Sequence, residues 1–230
     1  MLNVLAQKQE PLDPKQAWNI VGGLSFTSKM PGASWGLPAS RCQRGELLKK
    51  IENSVCAKCY AERHRYAWRQ TQQAYERRFE RMGDPQWLDA METLVRHYCT
   101  IAVPYFRFFD SGDLQSEEQY MHLVELACRV PEVRFWLPTR ETRMLKRTSV
   151  FIPKNLVVRV SSSLLGGSRI ASFSHTSAVL GKDLKLSWPL LVEHNDERVH
   201  FCPAPLQNNE CGSCRACWSK DVEHVVYLEH

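Results

Sequence analysis

An α/β protein built from parallel βα units is the fold class this sequence predicts, and three observations predict it. Short apolar runs alternate with helical segments through the middle of the chain: Tyr105-Phe106-Arg107-Phe108-Phe109, Val133-Arg134-Phe135-Trp136-Leu137 and Leu156-Val157-Val158-Arg159-Val160 read as strands. The segments between them carry helix signals, such as Ser116-Glu117-Glu118 capping a run with Tyr120, Leu123, Val124 and Ala127 on one face. Each of the three strands ends in polar residues: Asp110-Ser111-Gly112-Asp113, Pro138-Thr139-Arg140-Glu141 and Ser161-Ser162-Ser163. Several βα units in series imply an open parallel sheet or a barrel, whose functional face is the rim at the strands' carboxyl ends.

Residues 1–41 are rich in turn formers (Pro11, Pro14, Gly22-Gly23, Pro31-Gly32, Gly36, Pro38), so a loop is expected, with one short strand near Trp18 to Val21. From Tyr60 to Arg81 nothing interrupts a helical pattern. That segment carries Arg63, Arg65, Arg69, Arg77, Arg78 and Arg81 alongside Glu62, Glu76 and Glu80. Its plain reading is a solvated, ion-paired helix face, and its alternative a nucleic-acid-binding patch. Gly83 ends it, and Asp84-Pro85 reads as the cap of a second helix reaching Tyr98. Arg143 to Arg147 reads as a short helix. Leu184 to Trp188 and Val199 to Phe201 read as further strands.

Composition sets outer bounds. At 230 residues, 43% hydrophobic and 24% charged, the chain is ordinary globular material that needs no disulfides to fold. No apolar run reaches the roughly 18 residues of a membrane span, and Met1 to Pro14 lacks the pattern of a secretory signal, so the expected compartment is the cytoplasm. Leu228-Glu229-His230 reads as a tag remnant. The net charge of +5 permits an anionic partner without requiring one. Nine cysteines in a reducing compartment argue for metal ligation.

Seven of those cysteines fall in two groups. Cys42, Cys56 and Cys59 form a trio with thirteen and two intervening residues, a set able to hold one metal centre with a coordination position open. A redox dithiol or half of a structural zinc site are the plainer readings of its Cys-x2-Cys pair. Eight residues separate Cys202 from Cys211, Cys214 and Cys217, a compact triplet plus a distant Cys-Pro that follows the ligand logic of a ferredoxin-type [4Fe-4S] centre. Four-cysteine structural zinc is the rival there. Cys99 and Cys128 are expected in the core, and His64 and His200 near the cysteine groups are either ligands or structural.

The combination Ser28-Lys29-Met30-Pro31, Leu37-Pro38-Ala39, Cys42, Cys56-Ala57-Lys58-Cys59-Tyr60-Ala61, Asp110-Ser111-Gly112-Asp113 and the terminal Cys-Gly-x-Cys-x-x-Cys-Trp resembles the bacteriophage gene product 88 family, from about residue 26 to residue 218. That family is itself similar to radical S-adenosylmethionine (SAM) enzymes. The resemblance implies a partial (β/α) barrel of that type over residues 1–201, with a cysteine-cluster segment, 202–227, packed on the same domain. It implies two [4Fe-4S] clusters: a catalytic-type cluster on Cys42, Cys56 and Cys59, and an auxiliary one on Cys202, Cys211, Cys214 and Cys217. Ser111, Gly112 and Asp113 would then stand where such enzymes contact the amino group of SAM, with the substrate unassigned, in an infected or host bacterial cell. Radical SAM enzymes space the first cysteines by three and put an aromatic residue before the last. Here the spacing is thirteen, and the aromatic Tyr60 follows Cys59. A cluster-stabilised module that binds nucleic acid or protein, using the basic segment 60–81, is the non-catalytic alternative.

Overall fold

A computed structural model describes residues 12–196 and 198–229; the readings made on Met1 to Pro11 and on His230 lie outside the described residues. A seven-stranded, all-parallel sheet organises them. Its strands are β1 (Ser34–Trp35), β2 (Tyr105–Phe108), β3 (Arg134–Thr139), β4 (Leu156–Leu165), β5 (Thr176–Leu180), β6 (Val199–Phe201) and β7 (His224–Leu228). They lie in the order β1-β2-β3-β4-β5-β7-β6. The helices are α1 (Pro14–Val21), α2 (Gln43–Leu48), α3 (Arg69–Arg81), α4 (Trp87–Tyr98), α5 (Glu117–Arg129), α6 (Thr142–Arg147) and α7 (Trp188–Glu193). Pairing ends at β1 and β6, so among the described residues no ladder closes a full barrel.

The period-2 alternation of the strands sorts the sheet into two unlike faces. Phe106, Phe108, Phe135, Leu137 and Leu156 enter one apolar core with Ala17 and Val21 of α1, Met91 and Leu94 of α4, and Leu123 and Ala127 of α5. Further along, Val226 and Leu228 pack with Trp188 of α7. The intervening residues face the other way and are polar or aromatic. Arg107 lies over the Trp136 ring at 4.4 Å, Trp136 meets Trp218 at 5.2 Å, and Tyr227 reaches the thiol of Cys217. This second face carries no α-helical layer in the register of the first core; it is covered by segments of the N-terminal loop and the cysteine region. The segment 202–223 is therefore the crossover from β6 to β7, lying within the sheet's connectivity.

Several expectations are corrected. The strand expected near Trp18 to Val21 is α1: the Asp13 carboxylate accepts from the Lys15 and Gln16 amides, Pro14 opens the helix, and Gly22 at φ 81° closes it. The helix expected over 60–81 begins only at Arg69. Before it lie two 3-10 turns, Tyr60–Glu62 and His64–Ala67, separated by extended Arg63 and by His64 at φ 50°. Asp84 caps a turn, its Oδ1 accepting from the Gln86 amide, and the helix starts at Trp87. Leu184 to Trp188 is a 3-10 turn leading into α7, with Leu186 exposed. Leu228 belongs to β7, and the Glu229 amide donates to the Leu180 carbonyl. Cys99 is buried as expected, whereas Cys128 is exposed on α5. The strands β1, β5 and β7 were not anticipated.

Two histidines tie the β5 and β7 end of the sheet together. The His175 ring donates to the Lys220 carbonyl at 2.9 Å, and His224 pairs with the Thr176 hydroxyl at 2.7 Å. Burial holds both imidazoles below their ordinary pKa of 6.5, and the nearby Arg159 cation adds to it. The unfolded chain therefore binds more protons than the native one once pH falls below about 6.5. The urea midpoint should drop as pH is lowered from 7 to 5.5, and His175→Gln with His224→Gln should flatten that slope; parallel slopes for both proteins would refute the assignment.

Candidate metal centre

The cysteine trio is held by local turns with specific chemistry. Cys42 occupies the cap position of α2, and Gly45 one turn on leaves room for its side chain: a Cβ there would stand 2.7 Å from the Cys42 Cβ. Cys56 lies in the 3-10 turn Val55–Lys58, whose start is fixed by Ser54. That hydroxyl donates to the Leu48 carbonyl at 2.6 Å and accepts from the Ala57 amide at 3.0 Å. The Leu165 amide donates to the Asn53 carbonyl, docking this loop on the far end of β4. The Arg44 amide donates to Glu141 at 2.8 Å, fastening α2 to the end of β3.

Opposite the trio stands the rim of β2 and β3. Phe109 at φ 51° turns the chain out of β2, a left-handed conformation that costs a bulky residue roughly 1–3 kcal/mol. Gly112 at φ 80° then presses against Leu37, where a Cβ would meet that residue at 2.7 Å. Asp110 accepts from the Tyr75 hydroxyl at 2.9 Å through its carboxylate and from the Tyr60 hydroxyl at 2.8 Å through its carbonyl.

Between trio and rim lies a cavity of about 70 Å³, several times the ~10–15 Å³ that one water needs. Cys42, Cys56, Cys59, Ser111, Gly112 and Asp113 all line it, together with Lys49 and Arg140. The six sequence-predicted residues thus come together, but they are not equivalent. The Asp113 carboxylate accepts from the Leu114 amide (2.8 Å), the Thr139 hydroxyl (2.6 Å) and the Arg140 amide (2.9 Å), so it braces β2 against β3. The Ser111 hydroxyl is buried and has no partner in the protein. Gly45 and Lys49 were missed from the sequence; a glycine inside a helix three residues after a cysteine was the available signal for the first.

The second group gathers at the β6 and β7 end. The Cys202 amide donates to Val226 at 2.8 Å and its carbonyl accepts from Trp188. The Cys211 amide donates to the Lys29 carbonyl, so the Ser28–Ala39 loop walls this group. Cys214 meets His200 Nε2 at 3.3 Å, and Cys217 meets the Tyr227 hydroxyl at 3.2 Å. Arg159, fully buried on β4, holds the segment down. Its guanidinium donates to the carbonyls of Thr176, Ala216, Ser219, Val222 and Glu223 at 3.1 to 3.3 Å, and it makes no ion pair among the described residues. Trp218 pins the same segment to β2 through a 2.9 Å bond to the Phe106 carbonyl. His64, by contrast, is exposed on its turn.

Burial raises the thiols of Cys42, Cys56 and Cys59 and, in the second group, those of Cys202, Cys211 and Cys217 above their ordinary pKa. Cys42, Cys56 and Cys59 are pushed up first by desolvation, Cys42 further by Asp113 and its two fellow thiols. Cys202 is raised to about 12 and Cys217 to about 11, again by burial first. Thiols in this state are poor nucleophiles and become thiolates only with a compensating cation. Among the described residues no three His, Cys, Asp or Glu side chains converge closely enough to hold one metal ion.

Fold and sites together define a parallel α/β protein that gathers two sets of largely half-buried thiols at its strand ends. The chain matches the gene product 88 family model over residues 5–220 and belongs to that family. No curated protein and no solved structure matches it. Among the described residues no helix is long and apolar enough to cross a membrane.

Replacing Arg159 by Met leaves the carbonyls of the crossover without their common donor. A loss of about 2–4 kcal/mol in urea unfolding is expected, with amide exchange rising in 202–223 before it rises in α5. Arg159→Lys keeps the charge but not the planar fork and should recover only part. Uniform exchange along the chain would show that Arg159 does not act locally.

Proposed function

We propose that the protein is a phage-type iron-sulfur protein with two [4Fe-4S] clusters, one on Cys42, Cys56 and Cys59 and one on Cys202, Cys211, Cys214 and Cys217. We further propose that the first site takes SAM on a partial (β/α) barrel, as a radical-SAM-like enzyme. One observation carries this reading: one buried and two half-buried thiols line a cavity with a serine whose hydroxyl has no partner, at the carboxyl rim of a parallel sheet. A donor set made only of thiols suits a soft metal or a cluster. Three ligands leave one position for a further donor.

A reduced cluster bound here would supply the electron for cleaving the sulfonium, chemistry that belongs to the cofactor. The chain binds, orients and shields. Ser111 offers its free hydroxyl to a polar group of the ligand. Asp113 holds the Arg140 backbone in place across the two strands, and the Arg140 cation favours the thiolate form of Cys56 and Cys59. The Leu37 amide seats its loop on the Ser111 carbonyl at 2.8 Å, and Ala39 at the end of that loop lines the cavity. At the second site Arg159 and Trp218 fix the crossover that carries all four thiols.

Anaerobic purification followed by iron, sulfide and zinc analysis tests the metal. About eight irons and eight sulfides per chain are expected if both centres are cubanes, falling by half when either group is changed to serine. Stoichiometric zinc without sulfide would refute the reading. SAM should alter the electron paramagnetic resonance of the first cluster in the dithionite-reduced protein and yield 5′-deoxyadenosine. Ser111→Ala should weaken the SAM effect about 10-fold with iron content unchanged; no SAM effect in the fully loaded protein would leave an iron-sulfur protein without this enzymatic role.

A further inference from the structure

The charge of this chain is unevenly placed. Residues 41–81 hold eleven Lys and Arg against five Glu, a net of +6, while the rest of the chain sums to −1. Six of the arginines in this segment fall into two sets. Arg77, Arg78 and Arg81 bond to the α1 region: Arg77 donates to the Gly22 carbonyl, Arg78 to the Ser25 hydroxyl, and Arg81 to the Asn19 carbonyl, so they pack α3 against it. Arg63, Arg65 and Arg69 turn outward, are exposed, and make no ion pair among the described residues.

Trp68 stands among these three cations, 60% exposed, with the Arg65 guanidinium 5.9 Å from its ring. An indole this open is costly to hydrate and has no packing reason here. The shoulder that presents it is anchored from beneath. Tyr66 packs between Tyr60 and Tyr75, with ring centroids at 5.4 and 6.3 Å, and its carbonyl accepts from Gln72 Nε2 at 2.6 Å. His64 at φ 50° makes the break that lifts the shoulder out of the helix path. The same shoulder begins at Tyr60 and Ala61, which line the thiol cavity.

We propose that Arg63, Arg65, Trp68 and Arg69 form a binding surface for single-stranded nucleic acid beside the first thiol cavity. The three guanidinium groups take backbone phosphates, and the Trp68 ring stacks on an unpaired base. Exposed aromatic faces between cations are what single strands recognise, whereas a duplex keeps its bases stacked internally. An acidic peptide would satisfy the cations but would leave the indole without a role. The surface needs no metal at the cysteines, so it stands or falls separately from the iron-sulfur reading.

The test uses the full chain, with iron and sulfide counted in each preparation, and a fluorescein-labelled oligodeoxythymidylate of about 20 nucleotides. Anisotropy should report binding that weakens with salt and prefers the single strand to a duplex of equal length. Changing Arg63, Arg65 and Arg69 together to Ala should cost at least about tenfold in affinity and lower the salt slope by roughly two, at about 0.7 for each phosphate no longer neutralised. Trp68→Ala should weaken binding by about 5- to 150-fold with the slope unchanged, and Trp68→Phe should retain most of it. Exposed Lys154, Lys182 and Lys185, changed together to Ala, control for overall charge. Equal losses in that control, indifference to Trp68→Ala, or equal competition by duplex or by polyglutamate would overturn the proposal.

Discussion

A parallel sheet has both faces covered, because every strand sits between crossovers and neither face is left to water. In this chain the two covers are made of different material. One is the apolar side of α1, α4 and α5 against Phe106, Phe108, Phe135 and Leu137. The other meets Arg107, Trp136, Arg159, His200 and Tyr227, residues that an apolar helix could not cover without stranding their polar groups. Irregular backbone supplies carbonyls to Arg159, and the thiols it carries meet His200 and Tyr227, while Trp136 Nε1 has no partner. Arg159 makes the case most directly: a buried guanidinium with no carboxylate partner is tolerated because five carbonyls converge on it. The cysteine segments lie where they do because the second face of the sheet demands polar cover.

The rim of β2 and β3 follows from the same topology. Parallel strands end side by side, so the residues after them meet, and here Asp113 ties the two ends through three hydrogen bonds to its own chain. That use of the carboxylate leaves the Ser111 hydroxyl, together with Asp110 Oδ1, without a partner at the rim. The strain at Phe109 sits one residue before this arrangement and is over-determined on both sides: its amide donates to Trp35, and its carbonyl accepts from Arg107. A rim set this firmly presents the cavity wall ready-made, which lowers the cost of ordering a ligand against it.

Much of this was legible in the sequence where local signals and burial agree. The strands at Tyr105, Arg134 and Leu156 are apolar on both sides of the pleat or nearly so, and the Ser116 cap of α5 is a complete local motif. β7 was lost because a tail sequence carries no sign that it will be inserted between β5 and β6, a decision made by non-local pairing. β1, with two residues, has no periodicity to detect. The helix over 60–81 was over-extended because residue types there are all helix-compatible, while its break comes from Tyr66 packing into the tyrosine group beneath it. All three trio cysteines and the Ser111-Gly112-Asp113 run were legible by spacing and strand-end position. That Asp113 would be consumed as a brace was not, since its partners Thr139 and Arg140 lie on another strand.

The crossover 202–223 shows what such an arrangement costs and what offsets it. Of its twenty-two residues only Ala216 and Trp218 are buried hydrophobics, too little apolar surface to fix a segment of that length against its chain entropy. Trp218 supplies one anchor, meeting Tyr105 and Trp136 edge to face, and the Arg159 carbonyl bonds supply another. Both act at 216–222 and leave the stretch from Pro203 to Cys214 held chiefly by turns and by the Cys211 amide on Lys29. Small segments of this composition elsewhere reach a fixed structure by joining thiolates to a metal, so that binding free energy becomes folding free energy. Four thiols spread from Cys202 to Cys217 span the part of the crossover that the two anchors leave loose. Burial holds Cys202, Cys211 and Cys217 above their ordinary pKa, so in the protein alone these thiols stay protonated.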